Sequence, residues 1–261
     1  MQNSYIEIKN ISKSFQAKKE KLDVINEINM EIAEKEFVCI LGPSGCGKST
    51  YLKILGGIMP ATSGEIILDG ENLGNEIPRM HLKDFGFVFQ NDNLLPWRTA
   101  AKNLSFTLEM MKIKDENNKQ RVLEMMEIVG LQDYMDVFPH ELSGGMKQRV
   151  GIARALVHNP EVLLMDQPLG ALDAITRKML SFEILNIWKK TQKTIVMVTN
   201  NVEEALLLAN RVYIFSPLPA RITNEIKIDI PLDERNAEIV NNKKYNELRH
   251  EINAIVRNSQ S

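Results

Sequence analysis

The chain has 261 residues, 44% hydrophobic and 25% charged, with a net charge of -2 from 32 basic and 34 acidic residues. That composition suits a globular chain with one large domain or a domain carrying an insertion, and it lacks the basic excess of a nucleic-acid binder. No apolar run approaches the roughly 20 residues of a membrane span, and the opening MQNSYIEIKN has no signal-peptide core, so any membrane role is expected through a partner.

In chain order, strands are expected within residues 5–41, because Ile6 and Ile8, then Ile28, Met30 and Ile32, alternate with polar residues. Phe37 to Leu41 is a continuous apolar run ending at Gly42, the pattern of a buried strand feeding a loop. A short helix is expected over 48–58, from Leu52, Leu55 and Ile58, then a strand over 65–68 and a turn at Asp69-Gly70. Residues 91–142 are rich in Met, Leu and Lys, with helical spacing at Val122, Met125, Met126 and Val129, and read as an inserted helical subdomain. Two buried strands, 162–165 and 194–198, are separated by a helix over 172–190, an alternation that implies a mainly parallel sheet. The extension over 217–261 carries a strand-like 225–230 and a helix-like end. Cys39 and Cys46 form no disulfide framework and fit a reducing cytosol.

Gly42-Pro43-Ser44-Gly45-Cys46-Gly47-Lys48-Ser49-Thr50 fits G-x-x-x-x-G-K-[ST]. Its glycines let backbone N–H groups turn inward around phosphate oxygens, and it opens onto a helix N-terminus that favours an anion. Lys48 would place a cation on the β- and γ-phosphates, and the Ser49 hydroxyl would ligate Mg²⁺. The loop implies a nucleotide but not a task.

Leu142-Ser143-Gly144-Gly145-Met146, followed by Lys147-Gln148-Arg149, resembles the signature of the ABC ATPases, with Met146 where glutamine is commonest. The resemblance spans roughly residues 5–230. It implies an α/β fold: a P-loop NTPase (RecA-like) core with an N-terminal antiparallel β-subdomain and an inserted helical subdomain. It also implies that Ser143, Gly144, Gly145 and Met146 contact the nucleotide held by a second subunit. Phe15 matches the aromatic that stacks on adenine; the alternative is a core phenylalanine. Gln90 and Asp166 match the family's Mg²⁺-serving glutamine and aspartate. A carboxylate ending a buried strand needs a partner. Asp173 matches the loop that communicates between two sites, and it also suits a helix cap. Asn93-Leu94-Leu95-Pro96-Trp97 is similar to a segment of the nitrate/sulfonate/taurine importer group, where it lies at the docking place of a membrane subunit. The implied ligands are ATP and Mg²⁺. The implied partners are membrane permease subunits, a second ATPase subunit and a solute-binding protein, at the cytoplasmic face of the membrane.

Two positions depart from the family. Gln167 follows Asp166 where the family has glutamate, and an amide orients water but accepts no proton. Loss of a general base costs on the order of 10²–10⁴-fold in rate. Asn200 and Asn201 stand where the family has histidine and aspartate; Asn200 still donates a hydrogen bond but carries no positive charge. Three explanations stand side by side. A laboratory exchange of glutamate for glutamine accounts for Gln167 alone. An asymmetric pair leaves this chain's nucleotide unhydrolysed while Ser143 completes a partner's site. A homodimer hydrolyses slowly. The other function class, a soluble ATP-dependent clamp or regulator, usually joins two such modules or carries a long coiled coil. This sequence has one phosphate loop, one signature and no heptad run.

Overall fold

The computed structural model describes residues 4–17 and 20–258. In chain order the elements are β1 (Ser4–Ala17), β2 (Glu20–Ala33), β3 (Phe37–Leu41), α1 (Lys48–Leu55), β4 (Ser63–Leu68), β5 (Glu71–Gly74) and β6 (Phe85–Val88). Then follow α2 (Ala100–Met110), α3 (Asn118–Ile128), α4 (Gly144–Leu156), β7 (Val162–Asp166), α5 (Ala174–Thr191) and β8 (Thr194–Val198). The chain continues through α6 (Val202–Leu208), β9 (Arg211–Phe215), β10 (Ile222–Lys227) and α7 (Lys243–Asn258). These divide into two compact units, one of residues up to 82 and from 194 onward, the other of residues 83–193.

The first unit holds an antiparallel sheet in the order β2-β1-β4-β5. Its pairs Ile6↔Ile32 and Ile8↔Met30 put the alternating isoleucines on one buried face. A second set of strands runs β10-β9-β3-β8, with β3 parallel to both β8 and β9. β3 is buried at every position, as its unbroken apolar run requires. Tyr51 of α1 meets Phe215 of β9 edge-on at 5.3 Å. Its hydroxyl lies 3.6 Å from Met30 Sδ on β2, so α1 is packed between strands of both sheets.

The second unit pairs β6 with β7 in parallel, Val88 opposite Met165. Val122, Met126 and Val129 of the 118–129 stretch are buried, and Met125 is half-buried. Arg154 of α4 donates to Asn93 O at 2.7 Å and Asp92 O at 2.9 Å, pinning the segment before Leu94. The fully buried Asn103 of α2 holds the same segment: its amide accepts from Leu95 N and donates to Arg98 O and Thr99 O.

Several expectations shift. The helix expected over 48–58 stops at Leu55, where Gly56 caps it, and Ile58 lies exposed beyond it. The strand expected at 225–230 is β10 over 222–227, because its register is set by pairing Ile222 with Phe215 and Lys227 with Arg211. The helix expected over 172–190 starts at Ala174, since Asp173 supplies its cap. The apolar runs of β6 and β9 and the short helix α6 were not anticipated as elements at all.

Candidate functional site

In the first unit, β3 ends at Leu41 and the loop 42–47 leads into α1. Gly45 and Gly47 have φ of 78° and 107°, conformations that L side chains rarely adopt. At Gly47 a Cβ would also meet Val24 Cγ1 at 2.9 Å. Helix α1 starts without a side-chain cap and without an acidic residue in its first turn. By contrast, α4, α5 and α6 are capped by Ser143, Asp173 and Asn201. A bare helix N-terminus behind a glycine loop is the polar lining that a phosphate fits. Lys48 is buried, and its ammonium donates to Gly42 O and Pro43 O, both at 2.7 Å. Cys46 Sγ lies 3.8 Å from that ammonium, and burial pushes its thiol up. Pro43, Ser44, Ser49 and Thr50 lie along the same loop and first helical turn.

Two further sequence-selected residues lie on elements that flank this loop. Ile40 pairs with Val198 in the parallel β3–β8 ladder, and Thr199 N donates to Ile40 O at 3.1 Å. Asn200 follows two positions after Val198, the last residue of β8 paired with β3, and is exposed. Gly47 rests against Val24 and Ile25 of β2; Ile25 pairs with Lys13, and Leu22 with Phe15. Phe15 is 38% exposed, which rules out the core alternative, and Lys13 Nζ stands 5.2 Å over its ring. Asn201 does more than replace an acid: its Oδ1 accepts from Glu203 N at 2.8 Å and Glu204 N at 3.2 Å, capping α6.

In the second unit, Asp166 ends β7 and is buried. Gln167 follows it at φ 46°, a left-handed conformation uncommon for a residue with a side chain. Its carbonyl accepts from Gly170 N at 3.0 Å, closing a tight turn. The β6–β7 register carries Gln90 alongside this turn, and a Cβ on Gly170 would lie 3.6 Å from Gln90 Nε2. Gln90, Asp166 and Gln167 are thus brought together.

The signature residues form another cluster in this unit. The exposed Ser143 caps α4 by accepting from Met146 N at 3.3 Å. Cβ atoms on Gly144 and Gly145 would lie 3.3 Å from Leu172 and 3.2 Å from Thr176, so the start of α4 abuts the start of α5. Asp173 caps α5 through Thr176 N at 3.0 Å and Ile175 N at 3.1 Å, and the Thr176 side chain first, then these amides, hold its carboxyl below the usual range. Pro96 and Trp97 form a corner, and Trp97 is 71% exposed. No described helix is long and apolar enough to cross a membrane.

Sequence reading passed over Thr199 and Glu204, both buried, whose side chains bond to each other. The only available signal was two polar residues flanking the Asn200-Asn201 departure.

The family described as ABC transporter matches residues 25–170. A taurine import ATP-binding protein of Rhizobium johnstonii is 41% identical over 242 residues, covering 90% of this chain and 90% of that protein. A nitrate import ATP-binding protein of Synechococcus elongatus is 40% identical over 246 residues, covering 92% and 87%. Among solved structures, a dimeric ATP-binding cassette in a post-hydrolysis state with ADP and Pi superposes with a TM-score of 0.73 at 32% identity. It covers 87% of this chain and 100% of that one.

Proposed function

This chain belongs to the ABC transporter family, as an ATPase subunit of a transport complex, and on that premise we propose that it drives an importer from the cytoplasmic face of the membrane. The observation that carries the reading is the bare N-terminus of α1 behind the loop 42–47, with the buried Lys48 folded over that loop. Those residues suit a triphosphate: backbone amides and one ammonium offer donors, and no carboxylate in the first turn repels it. Phe15 would carry the adenine. Ser49 would ligate Mg²⁺ beside the loop, Gln90 and Asp166 are the family positions that would serve the same ion, and the ion would neutralise phosphate charge. The names of the relatives support import of a small solute that bears an oxyanion group, such as nitrate, an aliphatic sulfonate or taurine.

The signature cluster supports a second role. Ser143 caps α4 and is exposed, so its hydroxyl proton can be donated to a nucleotide on another subunit. The dimeric cassette with ADP and Pi supports such pairing. The inserted stretch 91–142 would serve the membrane subunits through Trp97, and 217–261 is an extension of the ATPase body. A solute-binding protein completes the importer.

Turnover divides between the two roles. Gln167 orients water and cannot take its proton, and Asn200 donates a neutral hydrogen bond. This chain's own site therefore retains ATP, while its Ser143 completes a partner's site that supplies the base. Alone and purified, the chain binds ATP with Mg²⁺ and hydrolyses it barely above background. A normal turnover number for the isolated chain sinks the division of labour, and absence of ATP binding sinks the ATP-site reading itself.

A further inference from the structure

The turn between β8 and α6 is held by a buried chain of hydrogen bonds. Thr199, 3% exposed, donates its hydroxyl to Glu204 Oε2 at 2.5 Å, and Glu204 is 6% exposed. The same Thr199 oxygen accepts from Asn201 N at 3.1 Å. Asn201 Oδ1 in turn accepts from Glu203 N and Glu204 N. On its other side, Thr199 N donates to Ile40 O, two residues before the phosphate loop begins. Residues 199 and 201 are therefore pinned to β3 and α6, and Asn200 alone of the three is exposed, next to the Thr199 that is bonded to the strand feeding the loop. Burying a carboxylate is costly unless it is bonded, so its place here is accounted for by what it holds.

We propose that Glu204 is a positioning residue which, through the Thr199 hydroxyl, sets the turn 199–201 so that the Asn200 amide meets the terminal phosphate of the nucleotide. This rests on the reading of residues 42–50 as an ATP site. Asn200 then distinguishes a triphosphate from a diphosphate, and Thr199 and Glu204 set how well it does so without touching the nucleotide.

The test measures ATP and ADP affinities, with Mg²⁺, of the full chain and its variants. Asn200→Ala lowers the ATP-over-ADP preference by about tenfold, the worth of one hydrogen bond to a charged group. Thr199→Val, which keeps shape and removes the hydroxyl, lowers it by a similar factor, and combining it with Asn200→Ala adds little. Thr199→Ser and Glu204→Gln, which keep the donor and an acceptor, restore the preference. A preference unchanged in both Thr199→Val and Glu204→Ala, whatever their melting temperatures, overturns the proposal, as does an unchanged preference in Asn200→Ala. Lys48→Ala separates the two failures: if it leaves ATP and ADP affinity intact, the ATP-site reading itself has fallen.

Discussion

Lys48 Nζ donates to the carbonyl of Gly42 at 2.7 Å, so the one ammonium of the phosphate loop is held over the loop's own first residue. It is buried in that position and is set for an anion entering the loop. Replacing it with alanine removes a charge-assisted bond to phosphate. ATP affinity measured by calorimetry is expected to fall about 10- to 100-fold. An affinity within twofold of the parent contradicts the site.

Gln167 and Asn200 are predicted to limit turnover together. Gln167→Glu supplies the missing base and Asn200→His supplies a side chain able to carry charge. The double variant, assayed for phosphate release, is expected to gain about 10²-fold or more over the parent. Unchanged release means that other residues limit the reaction.

Arg154 ties α4 to the segment before Trp97 through the carbonyls of Asp92 and Asn93. Lysine keeps the charge but lacks the two-pronged fork. In Arg154→Lys, amide hydrogen exchange is predicted to quicken over residues 93–98. The α4 amides are expected to keep their protection, and equal protection of 93–98 in both proteins would show that Asn103 holds the segment unaided.

Arg235 is 3% exposed and donates to backbone carbonyls, Ala209 O at 2.7 Å and Ile230 O at 3.1 Å among them, while burial lowers its pKa to about 10. It closes the C-terminal end of α6. Arg235→Met leaves those carbonyls without their donor, and the expected loss is about 2–4 kcal/mol in chemical denaturation. A loss below about 0.5 kcal/mol would show that water replaces the guanidinium.

Tyr245 is buried on α7, and burial pushes its phenol up to about 12 from an ordinary 10. The folded state favours the neutral form, so this contribution is complete below pH 10 and is lost as pH rises toward 12. Unfolding curves between pH 9 and 12 are expected to show a shallower alkaline decline for Tyr245→Phe than for the parent. Parallel curves would assign the decline to other groups.

Much of the local structure around the candidate site was legible along the chain because its parts are local. The glycines of 42–47, the apolar run of β3 and the carboxylate ending β7 each need only their neighbours to declare a turn, a buried strand or a partnered acid. Asp173 was legible both as a family position and as a helix cap, since capping acts within three residues. Phe15 was ambiguous, because a phenylalanine on a strand does not reveal which end of the ribbon is open.

The sequence by itself determined the glycine-loop motif of 42–50, the Ser143-Gly144-Gly145 motif and the glutamine at 167, all set by residue type and spacing. Only the tertiary structure decided that Asn201 caps α6, that Thr199 joins Glu204, and that Thr199 is bonded to Ile40 of β3. It also decided the register of β10 and the clamp of Arg154 on residues 61 and 62 positions earlier. The physical reason is reach. A hydrogen bond between distant residues depends on which strands lie side by side, and that is fixed by burying the whole core rather than by any short stretch of chain.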